Sequence, residues 1–300
     1  MATLFAREMK GIILAGGTGS RLYPATHVIS KHLLPVYNKP MIYYPLSILM
    51  LAKITEVLII TNPQFINLYR DLLGDGSRFG ISIKYAVQDK PRGIADAFMI
   101  GKEFIENDNV CLILGDNIFH GHQIPEVLQS ARNQIEKSGG AMVFGYNVGN
   151  PSEYGVIQYD SAGNILSIEE KPANPKSDCA AVGIYMYDND IINIVRDIGP
   201  SSRNELEITD VNEKYLQDRR LFLKMLGRGV AWFDAGNCDS LFKASAFVQN
   251  IEKRQGLKIA CLEEVAYYMG YISRTELDKI SQTTPKSKYG NYLSRIQEYS

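Results

Sequence analysis

The first half of the chain alternates short apolar runs with amphipathic stretches, the pattern of βαβ units on a mostly parallel sheet. Gly11-Ile12-Ile13-Leu14 opens it, and residues 10–15 are expected as a buried strand. A helix is expected over 41–51, with Pro40 tolerated near its start. A second strand over 57–61 passes through the turn Asn62-Pro63 into a helix over 64–72. A third strand over 81–86 precedes the loop from Val87 to Gly93 and a helix over 94–105. The fourth strand, 110–114, runs straight into Gly115-Asp116-Asn117.

The second half is more mixed. Strands are expected over 141–147, 156–160, 165–170, 180–187, 221–226 and 231–233, and helices over 207–216 and 240–254. Small helices over 263–269 and 274–280 follow, then a polar, aromatic tail over 287–300 that packs on the surface. Internal repeats, low-complexity tracts and Gly/Pro/Ser-rich linkers are lacking. The expected organisation is one continuous domain over 10–256, an extension over 1–9 excluded from the fold, and a helical appendage over 257–300 packed on the same domain.

Composition adds limits. Across 300 residues, 45% are hydrophobic and 22% charged, which suits a globular protein with an ordinary core. A net charge of −1 gives no global field to attract nucleic acid or an anionic membrane, so any phosphate binding has to be local. Cys111, Cys179, Cys238 and Cys261 form no CxxC pair or zinc spacing, and suit a reducing cytoplasm. Cys111 reads as a small buried hydrophobe. No apolar stretch is long enough to span a bilayer, and the N-terminus has no signal-peptide core.

The candidate chemistry begins after the first strand, at Leu14-Ala15-Gly16-Gly17-Thr18-Gly19-Ser20-Arg21-Leu22. Three glycines in four positions bend the backbone and turn several N–H groups toward one point, an anion cradle. Arg21 adds a planar fork for phosphate oxygens and Lys31 a mobile point charge. Leu22 stands where a dinucleotide fingerprint needs glycine, and no Gly-Lys follows for a Walker A loop. Asp116, at the end of a buried strand, suits Mg²⁺, which takes one or two carboxylates plus phosphate oxygens; a helix N-cap is the alternative. Four loops that follow strands, 15–21, 87–93, 115–117 and 234–237, converge where open α/β sheets bind ligands.

These residues, with Pro24, Thr26 and Lys31-His32-Leu33-Leu34-Pro35, resemble the sugar-phosphate nucleotidyltransferase family. Asn38–Leu46, Leu114-Gly115-Asp116-Asn117, Glu169-Glu170-Lys171-Pro172 and Glu205–Asn212 narrow the likeness to members that act on dTTP and glucose 1-phosphate. The resemblance runs from about Met9 almost to the C-terminus. It implies an α/β, Rossmann-like, mostly parallel mixed sheet flanked by helices, with a smaller sugar-binding lobe and C-terminal helices. It assigns nucleotide binding to Leu14, Gly16, Gly17, Thr18, Gly19, Ser20, Arg21, Gln88, Pro91, Gly93 and Asp116. Sugar-phosphate contacts fall to Lys31, Asn117, Tyr154, Gly155, Glu170, Lys171, Val182 and Glu205, and Mg²⁺ to Asp116 and Asp234. Catalysis rests on Arg21, Lys31 and Lys171. Without the resemblance, Glu170-Lys171 would read as a strand-edge ion pair, Tyr154-Gly155 as a turn and Glu205 as a helix N-terminal acid.

The product implied is dTDP-glucose, feeding dTDP-deoxysugars such as dTDP-rhamnose, made by a homotetramer with a separate site for a regulatory dTDP-sugar. UTP or another hexose phosphate, and a sensor that binds without turnover, remain the alternatives. The chain departs from the family at Ala235, where Thr is frequent, at His32, which replaces a common Gln, and at the charged run Asp89-Lys90-Pro91-Arg92. Arg92 is read as a solvated loop charge in preference to a phosphate or partner contact. His120 and His122 flank Gly121 without a third ligand at readable spacing and are read as structural or peripheral.

Overall fold

The computed structural model describes residues 7–296 except Ser202. Along the chain come β1 (Met9–Ala15), a short ribbon of β2 (Pro35–Val36) and β3 (Lys39–Pro40), then β4 (Glu56–Thr61), β5 (Ser82–Val87) and β6 (Asn109–Leu114). Next are β7 (Asn117–His120), β8 (Ala141–Asn147), β9 (Gly155–Tyr159), β10 (Ile165–Glu170) and β11 (Cys179–Tyr187), followed by β12 (Leu221–Met225) and β13 (Ala231–Asp234). β6, β1, β4 and β5 lie side by side and parallel, as the apolar runs of the first half require. β11 joins antiparallel to β6 and carries the sheet on to β8 and β12, while β9 and β10 branch from its other end. Among the described residues the sheet has nine strands, mixed, with its run of parallel strands going from β6 to the β5 edge. β7 and β13 form a separate antiparallel ribbon beside it.

Two apolar layers sandwich this sheet. One gathers Ile13, Ile59, Ile113 and the helix Tyr43–Leu51, apolar almost all round and buried. The helix Ile124–Ser138 joins this layer through Ile124, Leu128, Ala131 and Ile135. The sequence reading places nothing over 124–138, although that i, i+4, i+7 spacing was available to it. The opposite layer holds Ile12, Leu112 and the helix Ile208–Gln217.

Several expected elements shift. The helix over 94–105 is split at Gly101 into Asp96–Ile100 and Lys102–Ile105. A Cβ at Gly101 would lie 2.9 Å from Ile12 Cδ1, so glycine lets this segment press onto the sheet. The helix expected over 240–254 begins at Cys238, because Asn237 Oδ1 caps it by accepting from Ser240 N–H at 2.9 Å. Met9, excluded as extension, is the first residue of β1 and buried; residues 1–6 of that extension lie outside the described ones. The tail contains the helix Lys288–Leu293, and Leu293 and Ile296 enter the core; 297–300 lie outside the described residues.

Buried charge ties the C-terminal helices to the sheet domain. Glu252 accepts from Lys39 Nζ at 2.7 Å, from Asn38 Nδ2 at 2.7 Å and from Ile259 N–H at 3.0 Å, with Lys258 Nζ at 3.3 Å. Burial alone would push this carboxyl up, but Lys39 and the other donors hold it below its ordinary value. Removing the carboxylate strands two cations, whereas removing Lys39 leaves it three partners. Glu252→Gln is therefore expected to cost about 3 kcal/mol in urea denaturation, and Lys39→Met less. Equal or reversed losses would contradict this arrangement.

Candidate active site

Close packing explains Gly16 and a left-handed φ explains Gly19, while Gly17 sits beside Lys31 with room for a Cβ. A Cβ on Gly16 would come 2.5 Å from Gln88 Oε1, and one on Gly17 would lie 3.6 Å from Lys31 Nζ. Gly19 has φ +67°, and its carbonyl accepts from Leu22 N–H at 2.9 Å and Thr26 Oγ1 at 2.8 Å. The loop thus closes on itself and leaves Gly17, Thr18, Ser20 and Arg21 exposed. Leu14, just before it, accepts from Gly115 N–H at 3.0 Å, which joins the loop to the end of β6.

That second strand end carries the central charge cluster. Lys31 Nζ is ion-paired with Asp116 Oδ2. Asp116 is not a helix cap: β7 follows it, and its neighbour Asn117 pairs across the ribbon with Asp234. The ribbon therefore sets the two carboxyl groups on adjacent positions of one small surface. Burial raises Asp116, but Lys31, His32 and hydrogen bonds from Lys31 and Asn117 outweigh it and hold the carboxyl low. Asp234 is pushed up, first by burial and then by the negative charge of Asp116. Lys31, ion-paired with Asp116, and Arg21 both draw Asp234 back down without overcoming that rise.

Neutral groups hold this cluster in place. Asn117 Nδ2 donates to Asp116 Oδ1 at 3.2 Å, while its Oδ1 accepts from Trp232 Nε1 at 2.6 Å and from Gly183 N–H at 3.2 Å. Gly183 is free to donate because β11 bulges between Ala181 and Tyr185. His32 is buried beneath Gly115, where a Cβ would lie 2.6 Å from its ring. Burial first and Lys31 second bring its imidazole down to about 3, so it stays neutral beside the lysine. Its Nδ1 lies 3.2 Å from Ser30 Oγ and 3.4 Å from Tyr69 OH.

Beyond Asp234 opens a cavity of about 660 Å³, lined among others by Arg21, Tyr154, Lys171, Asp234, Asn237 and Lys243. Arg21 and Asp234 meet over Gly236, where a Cβ would lie 2.6 Å from Arg21 Nη2 and 2.9 Å from Asp234 Oδ1. Tyr154 packs against Trp232 with ring centres 5.1 Å apart, and its carbonyl accepts from Lys171 N–H at 3.0 Å. Lys171 has φ +44°, a left-handed backbone that turns it off the end of β10. Glu170 accepts from Thr209 Oγ1 at 2.9 Å and lies 3.7 Å from Lys171 Nζ and 3.4 Å from Arg203 Nη2. Gly155 faces it across the hairpin, 3.5 Å from its carboxylate at the Cβ position.

The expected residues thus form one track: Gln88, Gly16, Gly17, Lys31, Asp116, Asp234, Arg21, Tyr154, Lys171, Glu170. Gly93, with φ +98°, seats against the Leu206 backbone, and Pro91 is exposed on the same loop. Arg92 is exposed, as read, and its Nε also donates to buried Asp96 at 3.2 Å. Val182 is fully buried in the core and presents no surface to the cleft. Glu205 is half-buried, and its carbonyl accepts from Ser201 N–H at 2.8 Å. His120 packs edge-on to Phe247 and His122 is exposed. The sequence reading gives Trp232 no site role beyond its strand and does not name Lys243 or Arg203. Trp232 offered one signal, as the sole tryptophan two residues before Asp234.

A parallel sheet whose strand ends carry a glycine loop, convergent cations and paired carboxylates defines a nucleotide-handling α/β enzyme. The chain belongs to the nucleotidyl transferase family, which it matches over residues 10–251. It is 53% identical over 288 residues to the glucose-1-phosphate thymidylyltransferase of Neisseria meningitidis serogroup A, covering 96% of this chain and 99% of that one. It is 51% identical over 290 residues to the enzyme of the same name from Mycobacterium tuberculosis, covering 97% and 99%. A Bacillus anthracis crystal structure given that name provisionally, in complex with a sucrose, superposes with a TM-score of 0.73 at 44% identity, covering 80% of this chain and 94% of that one.

The charge balance of the cluster makes a direct prediction. Lys31→Met removes the cation that lowers both carboxyls, so the Asp116 titration midpoint should move up in pH in a carboxyl ¹³C NMR titration. A midpoint that stays put would mean that hydrogen bonding, not Lys31, holds it down.

Proposed function

We propose that this chain joins dTTP and α-D-glucose 1-phosphate into dTDP-glucose and pyrophosphate. The carrying observation is the unbroken track from Gln88 through the Lys31–Asp116–Asp234 cluster to Lys171 and Glu170, in a chain about half identical to enzymes of that name. A phosphate oxygen of the sugar phosphate attacks the α-phosphorus, and pyrophosphate departs from the opposite side. The nucleophile is already competent, so the protein's task is to position two anions and offset their repulsion.

Gly16, Gly17, Thr18, Gly19 and Ser20 cradle the triphosphate after Leu14, and Arg21 holds the departing pyrophosphate. Gln88, with Pro91 and the backbone at Gly93, meets the base. Lys31 and Lys171 stand on the two sides of the reacting phosphates. Asn117, Tyr154, Gly155, Glu170 and Glu205 form the sugar side, where Val182 contributes by packing beneath them.

Asp116 and Asp234 fit Mg²⁺. Burial and the charge of Asp116 keep the Asp234 carboxyl pushed up even with Lys31 and Arg21 acting on it, so a divalent cation between the two carboxyls would be favoured, and Mg²⁺ binds one or two carboxylates together with substrate phosphates. When bound, the ion would neutralise phosphate charge at the reacting centre. Among the described residues no helix is long and apolar enough to cross a membrane. Our reading extends to a cytoplasmic homotetramer that supplies dTDP-deoxysugar synthesis, including dTDP-rhamnose, and that binds a regulatory dTDP-sugar at a second site.

Pyrophosphate release should require dTTP, glucose 1-phosphate and Mg²⁺ together. Binding without release would instead make the chain a sensor, and a panel of four nucleotides and several sugar phosphates ranks UTP and other hexoses. Asp116→Asn is expected to lower release by at least about 10²-fold while the circular dichroism spectrum stays native. Retained turnover would exclude the metal role of Asp116.

A further inference from the structure

Gln88 is not free to choose its orientation. Its Nε2 donates to Asp96 Oδ2 at 2.9 Å, and Arg92 Nε donates to the other oxygen, Oδ1, at 3.2 Å. Gln88 and Asp96 are both 4% exposed, so water does not compete freely for either group. An ionised carboxylate accepts hydrogen bonds and cannot donate them. The Gln88 amide must therefore turn its NH₂ toward Asp96 and its carbonyl oxygen away. That oxygen lies over Gly16, at the head of the anion-binding loop.

A glutamine amide can ordinarily donate or accept toward a base by rotating half a turn. Here one of its two faces is spent on the helix Asp96–Ile100, on which Asp96 is the first residue. We propose that Asp96, braced by Arg92, is a positioning residue that presents the Gln88 carbonyl oxygen to the nucleobase and so admits pyrimidines with a ring N–H. Thymine and uracil carry that N–H. Cytosine carries a bare ring nitrogen, whose lone pair would face the oxygen's lone pair. The selectivity works by repelling the wrong base as well as by binding the right one. This inference rests on the reading of Gln88 as the base contact.

The test compares kcat/KM for dTTP and dCTP, each with glucose 1-phosphate, in the intact protein and in Asp96→Asn, Gln88→Ala and the double variant. Asparagine can donate or accept, so it releases the amide. The dTTP preference should narrow about tenfold in Asp96→Asn, through a gain with dCTP. The double variant should narrow no further than Gln88→Ala alone, because Asp96 acts through Gln88. A preference unchanged in Asp96→Asn but collapsed in Gln88→Ala overturns the role of Asp96 and leaves Gln88 reading the base. A preference unchanged in both overturns the base reading as well. Should Asp96→Asn fail to fold, Arg92→Ala alters a side chain that is 54% exposed and should narrow the preference about threefold; no narrowing there counts against the proposal.

Discussion

Two carboxyl groups held on neighbouring positions of one ribbon, with one lysine in ion-pair contact, set the terms for everything around them. Asp116 is held low by Lys31 against its burial, while burial and the charge of Asp116 push Asp234 up and Lys31 and Arg21 offset only part of that. Neutral, rigid neighbours hold the geometry of this cluster. His32 does so by being buried and uncharged, and Asn117 by using both ends of its amide. Even with Lys31 and Arg21 both acting on it, the Asp234 carboxyl stays pushed up, first by burial and then by Asp116.

The sheet explains why the track is continuous. β1, β6 and β5 are parallel, so their carboxyl ends deliver the glycine loop, Asp116 and Gln88 to the same edge. The ribbon of β7 and β13 then brings Asp234 from more than a hundred residues away into register with Asn117. β9 and β10, branching from β11, supply Gly155 and Glu170 on the far side. The glycine loop with Gln88 and the Gly155–Glu170 side are thus built by different parts of the sheet, and the charged cluster lies between them.

The C-terminal helices matter to the site through the helix Cys238–Gln255. Its capped start places Asn237 and Lys243 in the wall of the cavity, and its far end is fixed by Glu252 on Lys39 and Lys258. Further on, Glu263 is fully buried, paired with Arg78 and accepting from Tyr289 OH at 2.5 Å. These contacts make the last helices part of the scaffold that orients the cavity wall.

Whatever depended on nearby residues was legible in the chain. The apolar run ending at Leu14, the three glycines, Arg21, Lys31 and the strand-ending Asp116 are local patterns, and local backbone chemistry dictates what they form. The family likeness extended this to Gln88, Glu170, Lys171 and Asp234. Other features hang on distant neighbours. Gly101 divides a helix because Ile12 stands close behind it, Val182 faces the core because β11 bulges beside it, and Arg92 is anchored because Asp96 is buried one turn later. The sequence by itself determined the parallel strands and the glycine loop at their carboxyl edge, since periodicity and glycine placement act over a few residues. Only the tertiary structure decided which way Gln88 points, how Lys31 and Arg21 are set against Asp116 and Asp234, and where Trp232 and Lys243 enter, because burial and charge at a point are sums over groups that the chain order keeps apart.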